Sequence, residues 1–268
     1  MTQFTTRYGP WAVVAGASEG IGAAFSRRLA AQGVNVVLVA RREGPLAALE
    51  LELRAEYRVE TRVVALDLSA AGAEHVLFDA TAALEVGFLV YNAGADEHGA
   101  FFLDVAPEVW AAMVQRNCVV PLLATHHYGT AMVERGRGGV ILVTSGAAWA
   151  GGARLATYAA TKAFDLVFGE SLWAELGPRG VDVLSLVAGA TDTPAFRALL
   201  ESRGRAMVDG VDDADDVARA GLEHLGEGPT WSMGTPDGAG PSLLGSLPRR
   251  AAVEAMSAGN EMVIGPPD

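Results

Sequence analysis

The chain has 268 residues, half of them apolar, and a formal net charge of −12. That length and apolar content allow one large domain with a substantial core and exclude a disordered chain, while the acidic balance, with no basic run longer than a pair, argues against a nucleic-acid partner. The single cysteine, Cys118, excludes an internal disulfide, and no segment approaches the roughly 18 uninterrupted apolar residues of a membrane span. The opening MTQFTTRYGPWAVV lacks the basic and apolar regions of a signal peptide, so a cytoplasmic protein is the expectation.

In chain order, short β-branched runs alternate with longer helical patterns, the rhythm of a parallel α/β sheet. Strands are expected at WAVVAG (11–16), VNVVLVA (34–40), TRVVAL (61–66), GFLVYN (87–92), GVILVTS (139–145) and VDVLSLVA (181–188). Helices are expected over 20–32, 43–58, 70–84, 107–135 and 155–177. The whole chain, 1–268, reads as a single α/β Rossmann domain, a doubly wound parallel sheet of six to seven strands with helices on both faces and ligand sites at the carboxyl ends of the strands. After 190 the rhythm breaks down: two further helices, the second capped by Asp212 or Asp213, a short last strand in TWSMG, and a Gly- and Pro-rich tail, 236–268, in which PRRAAVEAMSAG suggests one more helix.

The first strand runs into GASEGIG, with Gly16, Ser18, Gly20, Ile21 and Gly22, and then a helix. Glycine permits the tight turn and the close approach of a pyrophosphate, whose charge is met by free N–H groups and the helix dipole. A plain tight turn between strand and helix is the alternative. The next strand ends in VARREG, placing Arg41 and Arg42 where an acid would bind the ribose 2′-hydroxyl of NAD. Guanidinium groups suit the 2′-phosphate of NADP(H), which is the expected cofactor, although Glu19 and Glu43 weaken the local positive field.

Near 140 a strand ends in Thr144 and Ser145, Tyr158 follows thirteen residues after Ser145, and Lys162 lies one helical turn beyond in YAATK. With GASEGIG, this Ser, Tyr-x3-Lys arrangement resembles the short-chain dehydrogenase/reductase family. Other pieces fall in the family's order: Asp67 and Leu68 in LDLS, Asn92, Ala93 and Gly94 after the fourth strand, Asn117 in the long helix, and Gly189, Thr191 and Thr193 after the sixth. The resemblance covers about residues 10 to 195. It implies an oxidoreductase that moves hydride between NADP(H) and a carbonyl or secondary alcohol. Tyr158 would be the general acid, Lys162 would lower the phenol's hold on its proton and bind the nicotinamide ribose, Ser145 would hydrogen-bond the substrate oxygen, and Asn117 would hold a water connecting Lys162 to solvent. Asp67 would meet the adenine, Asn92 the adenosine side or the packing between strands, and Thr193 the nicotinamide carboxamide. Taken singly, each residue also has a plain reading: an exposed helical pair, a strand-end cap, a helix kink.

The chain departs from the family at Ala15, Tyr91 and Ala188, where Thr, Asn and Pro are usual. These positions touch loop rigidity and not the reacting groups. Substrate candidates are Ala147, Trp149 and Phe196, within loops after the strand ends, and 190–210 is the expected lid over a small-molecule carbonyl or alcohol. No metal site is expected, because the adjacent His126 and His127 point apart on a helix and no third ligand follows at suitable spacing. The resemblance further implies a homodimer or homotetramer joined through the long helices. Two rivals remain, a lyase or epimerase using the same tyrosine without net redox change, and a cofactor-binding sensor that does no chemistry.

Overall fold

The computed structural model describes residues 2–235, 237–238 and 243–265. Its elements run α1 (Gln3–Tyr8), β1 (Trp11–Ala15), α2 (Gly20–Ala31), β2 (Asn35–Ala40), α3 (Glu43–Tyr57), β3 (Thr61–Ala65), α4 (Ala73–Thr81) and β4 (Val86–Tyr91). The chain continues through α5 (Pro107–Val114), α6 (Val120–Arg135), β5 (Gly138–Ser145), α7 (Ala156–Leu176) and β6 (Val181–Ala188). It ends with β7 (Thr191–Asp192), α8 (Pro194–Ser202), β8 (Asp212–Asp213), α9 (Ala214–Glu223), β9 (Thr230–Ser232), α10 (Leu243–Ser246) and α11 (Arg249–Ile264).

Seven strands form one parallel sheet in the order β3-β2-β1-β4-β5-β6-β9. Because successive side chains of a strand face opposite ways, each strand feeds two cores. Ala12 and Val14 of β1 join Val36 and Leu38 of β2 on one side, against Phe25, Leu29, Leu46, Leu53 and Val217 from α2, α3 and α9. Val13, Val37, Val39 and Leu89 face the other way and meet Leu77, Val120 and Met132 from α4 and α6. Burial on both faces explains why the strands read as continuous apolar runs. The order reverses between β1 and β4, so the carboxyl ends of these two strands open a crevice, the usual ligand position in such sheets.

Two expectations about helices need correction. The run 107–135 is not one helix: a π turn, Gln115–Val119, separates α5 from α6, and Val120 N–H bonds to Gln115 O across it. Pro121 is the reason, since it has no N–H to offer Asn117 O and its ring would collide with that carbonyl in a regular helix. The helix expected over 70–84 is also shorter, beginning after Gly72, whose φ of 78° is left-handed, and ending at Thr81. The small helix α1 went unanticipated. It is anchored by Tyr8, whose hydroxyl donates to Asp182, and whose ring packs on Phe88.

Beyond β6 the chain leaves the sheet and returns. Thr191 and Asp192 pair with Asp212 and Asp213, so the two ends of the excursion that carries α8 are stitched together. Asp213 then caps α9 by accepting from Asp215 N–H, and Asp215 and Asp216 in the first turn complement the helix dipole. Residues 236, 239–242 and 266–268 of the expected tail lie outside the described residues.

Candidate active site

The glycine turn sits at the crevice and is too crowded for side chains. A Cβ at Gly22 would lie 2.0 Å from the carbonyl oxygen of Gly16, and one at Gly20 would lie 2.7 Å from Thr193 Cγ2. Gly16 and Gly20 have φ of 82° and 54°, left-handed values that glycine adopts without strain. Glu19 precedes α2 and its side chain makes no capping bond, which leaves the first N–H groups of the helix facing the crevice. Asn92 Nδ2 donates to Gly16 O at 3.3 Å, tying the end of β4 to the turn. A cradle of this shape, closed on one side by Thr193 and edged by Ala93, fits a dinucleotide pyrophosphate.

At the end of β2 both arginines are exposed and both already hold acids. Arg42 donates to Glu19 of the glycine turn, and Arg41 to Glu97 of the loop after β4. Beside them Asp67 accepts from the backbone and hydroxyl of Ser69. Burial works against its charge, but the Ser69 bonds, with Arg41 and Arg116 nearby, hold the carboxyl below the usual range. A cleft of about 180 Å³ opens here, lined by Arg41, Ser69, Glu97 and Arg116 among others, and Leu68 is buried.

The Ser, Tyr and Lys positions are built from β5 and α7. Thr144 Oγ1 donates to Lys162 O at 2.6 Å and locks the helix to the strand. Ser145 Oγ accepts from Ala147 N–H at 3.2 Å, which fixes its rotamer and buries Ala147. A hydroxyl that accepts in this way keeps its hydrogen free to donate. The cap reading and the functional one are therefore compatible. Asn117 is fully buried in the π turn, and its Nδ2 donates to Thr161 Oγ1 at 2.9 Å, which in turn donates to Tyr158 O at 2.8 Å. Lys162 Nζ donates to Val143 O at 2.9 Å and to Asp165 Oδ2 at 3.1 Å. Gly94 completes the floor, where a Cβ would come within 3.0 Å of Asn117 Oδ1 and 3.1 Å of Lys162 Nζ.

Thr144, Thr161 and Asp165 are contributors that sequence reasoning missed. Asp165 left a signal, a lone acid in the apolar run AFDLVF. Tyr91 also gains an explanation: buried in β4, it donates its hydroxyl to Arg116 O and braces the π turn. Burial pushes its phenol well up. Cys118 is half-buried with its thiol pushed up to about 11 by burial, which suits packing and not nucleophilic chemistry.

The outer wall comes from farther along the chain. Thr193 Oγ1 caps α8 by accepting from Phe196 N–H, Thr191 Oγ1 donates to Gly189 O, and Phe196 is half-buried. Helix α11 lies along the loop after β5: Ser257 Oγ accepts from Ala153 N–H, Asn260 Nδ2 donates to Ala153 O, and Arg249 donates to Trp149 O. Trp149 Nε1 is buried with no hydrogen-bond partner among the described residues. Arg154 donates to Gly265 O and covers the ring of Phe101 at 5.0 Å. A cleft of about 510 Å³ follows between Phe101, Arg154 and α11; Ser145, Tyr158 and Lys162 are not among its lining residues.

This sheet order, the glycine cradle, Ser145 at the end of β5 and Tyr158 and Lys162 on α7 define the fold class of nicotinamide-dependent oxidoreductases. The short chain dehydrogenase family model matches residues 10–204, and the chain belongs to that family. It is 36% identical to a 7beta-hydroxysteroid dehydrogenase of Collinsella aerofaciens over 223 residues, 82% of this chain and 84% of that enzyme. A solved 7beta-hydroxysteroid dehydrogenase structure superposes with a TM-score of 0.80 at 34% identity, covering 87% of this chain and 90% of the other. A short-chain dehydrogenase from Sphingobium yanoikuyae in complex with NADPH superposes with a TM-score of 0.70 at 27% identity, covering 82% and 85%.

Proposed function

We propose that the protein is an NADP(H)-dependent oxidoreductase that interconverts a ketone or aldehyde and the corresponding alcohol, with Tyr158 as the general acid in reduction. The observation that carries this reading is the buried pair Asn117 and Thr161, bonded on to the backbone oxygen of half-buried Tyr158 and beside buried Lys162 on α7, the helix that follows Ser145. NADP(H), when bound, supplies or accepts the hydride. Gly16, Ser18, Gly20, Ile21 and Gly22 would hold its pyrophosphate, Arg41 and Arg42 its 2′-phosphate, and Asp67 and Leu68 its adenine. Asn92, Ala93, Gly94, Gly189, Thr191 and Thr193 would line the rest of its path.

Tyr158 gives its phenolic proton to the carbonyl oxygen, and the Lys162 ammonium stabilises the phenolate left behind. Ser145 donates to the same oxygen and meets the charge that develops on it. In oxidation the proton returns to Tyr158. Asn117 holds the path by which Lys162 is linked to solvent. The exchange uses one proton and one hydride, so no metal is needed.

Ala147, Trp149 and Phe196 would form the substrate wall, with 190–210 as its lid and α11 as its outer support. Support for a bulky alicyclic ketone or secondary alcohol comes from this mostly apolar wall and from the hydroxysteroid dehydrogenase relatives. A homodimer or homotetramer is the proposed assembly, since Val114, Val119, Leu122, Val167 and Trp173 expose apolar surface on α5, the π turn, α6 and α7.

An NADPH-oxidation screen over keto-steroids, cyclic ketones, aldehydes and quinones tests the reading. Turnover with at least one bulky ketone, faster with NADPH than with NADH, is expected. Uniform absence of turnover would overturn it in favour of the lyase or sensor alternative.

A further inference from the structure

The acid beneath Lys162 goes beyond the Ser, Tyr, Lys and Asn positions of the proposed reaction. Asp165 lies one turn after Lys162 on α7, and both side chains are only 3% exposed. Its Oδ2 takes one hydrogen of the ammonium, Val143 O takes a second, and its Oδ1 is buried with no hydrogen-bond partner among the described residues. The other ionisable groups that act on this corner are Tyr91 from β4 and Arg116 and Cys118 from the π turn. On the β6 side the neighbour is the neutral Ser185, which donates to the backbone oxygens of Asp165 and Leu166.

A buried pair of this kind is a poor way to gain stability. Taking both charges out of water is expensive, and apolar residues of similar volume often serve as well or better. The pair instead secures a charge: an ammonium this deeply buried loses its proton readily unless a carboxylate faces it. Burial holds the Asp165 carboxyl above its ordinary range, and the Lys162 ammonium offsets part of that rise.

Resting on the functional reading above, we propose that Asp165 is a positioning residue of the reaction, holding the Lys162 ammonium charged and aimed at the floor formed by Gly94 and Asn117. Asp165 touches neither cofactor nor substrate and acts through Lys162 alone. Removing its charge leaves the ammonium with Val143 O as its protein acceptor, in a site where burial disfavours a charged group.

The test is a fluorescence titration of NADPH into wild type, Asp165→Asn, Lys162→Met and the double variant across pH 6.5 to 9.5. Asp165→Asn should bind NADPH progressively more weakly than wild type as pH rises, the gap growing by about tenfold over the range. In the Lys162→Met background Asp165→Asn should change nothing. A gap constant with pH, or the same loss with and without Lys162, would overturn the proposal. Thermal unfolding without cofactor covers the case in which Asp165→Asn does not fold. Lys162→Met/Asp165→Leu should then melt at or above the temperature of Lys162→Met alone, and a clearly lower melting temperature would make Asp165 a structural residue and sink the idea. Wild-type protein that fails to bind NADPH at any pH would sink the functional reading itself, whereas wild type that binds while Asp165→Asn shows a pH-independent gap sinks only the role of Asp165.

Discussion

Around Lys162, Asn117 and Thr144 the polar contacts are buried, whereas the bonds that hold α11 to the loop after β5 are mostly exposed. The two regions flank the two ends of the loop after β5 and are held with different firmness. A buried donor left without its partner loses about 1–3 kcal/mol, while an exposed bond that breaks is replaced by water at a net loss of roughly 0.5–1.5 kcal/mol. The floor therefore holds one geometry, and the wall can open locally without disturbing the sheet. On the proposed reading, chemistry that needs fixed distances would belong to the first region, and selection among substrates to the second.

The largest expected effect attacks the floor. Tyr158→Phe should lower kcat by about a thousandfold, within the usual range for losing a general acid, while melting temperature and NADPH affinity stay near wild type. Full turnover in that variant would end the assignment. Gly22→Ala comes next: its Cβ would meet Gly16 O at 2.0 Å, so the cradle must spread, at about 1–3 kcal/mol and several degrees of melting temperature. Weaker NADPH binding should accompany that loss, and an unchanged melting curve would contradict the packing described for this turn.

At the wall the expectation is milder. Ser257→Ala with Asn260→Ala removes two exposed bonds to Ala153, and should raise KM for a bulky ketone by about three- to tenfold with little change in kcat. An equal fall in kcat would show that the wall helps align the reacting atoms. Smallest of all, Glu19→Gln releases Arg42 from an exposed ion pair, so NADPH should bind more tightly by about fivefold at most, with NADH unaffected. Equal gains for both cofactors would argue against a phosphate partner for Arg42.

The contrast between the regions also explains what could be read from the sequence. Strands buried on both faces announce themselves as apolar runs, and β1 to β6 lie within two residues of their expected limits. Ser145, Tyr158 and Lys162 stand close together in the chain, at spacings set by one strand end and one helical turn, so local order exposes them. Contacts between distant segments leave no such trace: Glu97 reaching Arg41, Thr161 receiving Asn117, and Ser257 bonding Ala153 depend on the folded arrangement. The π turn lies between these cases. Pro121 in RNCVVP lacks a donor, a local sign of the break, while the apolar pattern on either side runs through it as one helix would.

The pairing of β7 with β8 gives the excursion between them a separate history from the sheet. Its two ends are joined residue to residue, Thr191 with Asp212 and Asp192 with Asp213. Whatever is threaded between them begins and ends at one place. Lengthening such a closed loop is cheap, about 0.6 kcal/mol for each doubling. The part of the segment beyond Thr193, which stays against Gly20 of the cradle, thus has the properties of a cassette, open to a longer or differently shaped insert at little cost to the sheet. Grafting the corresponding segment of a relative between Thr193 and Asp212 tests whether this excursion sets the substrate range.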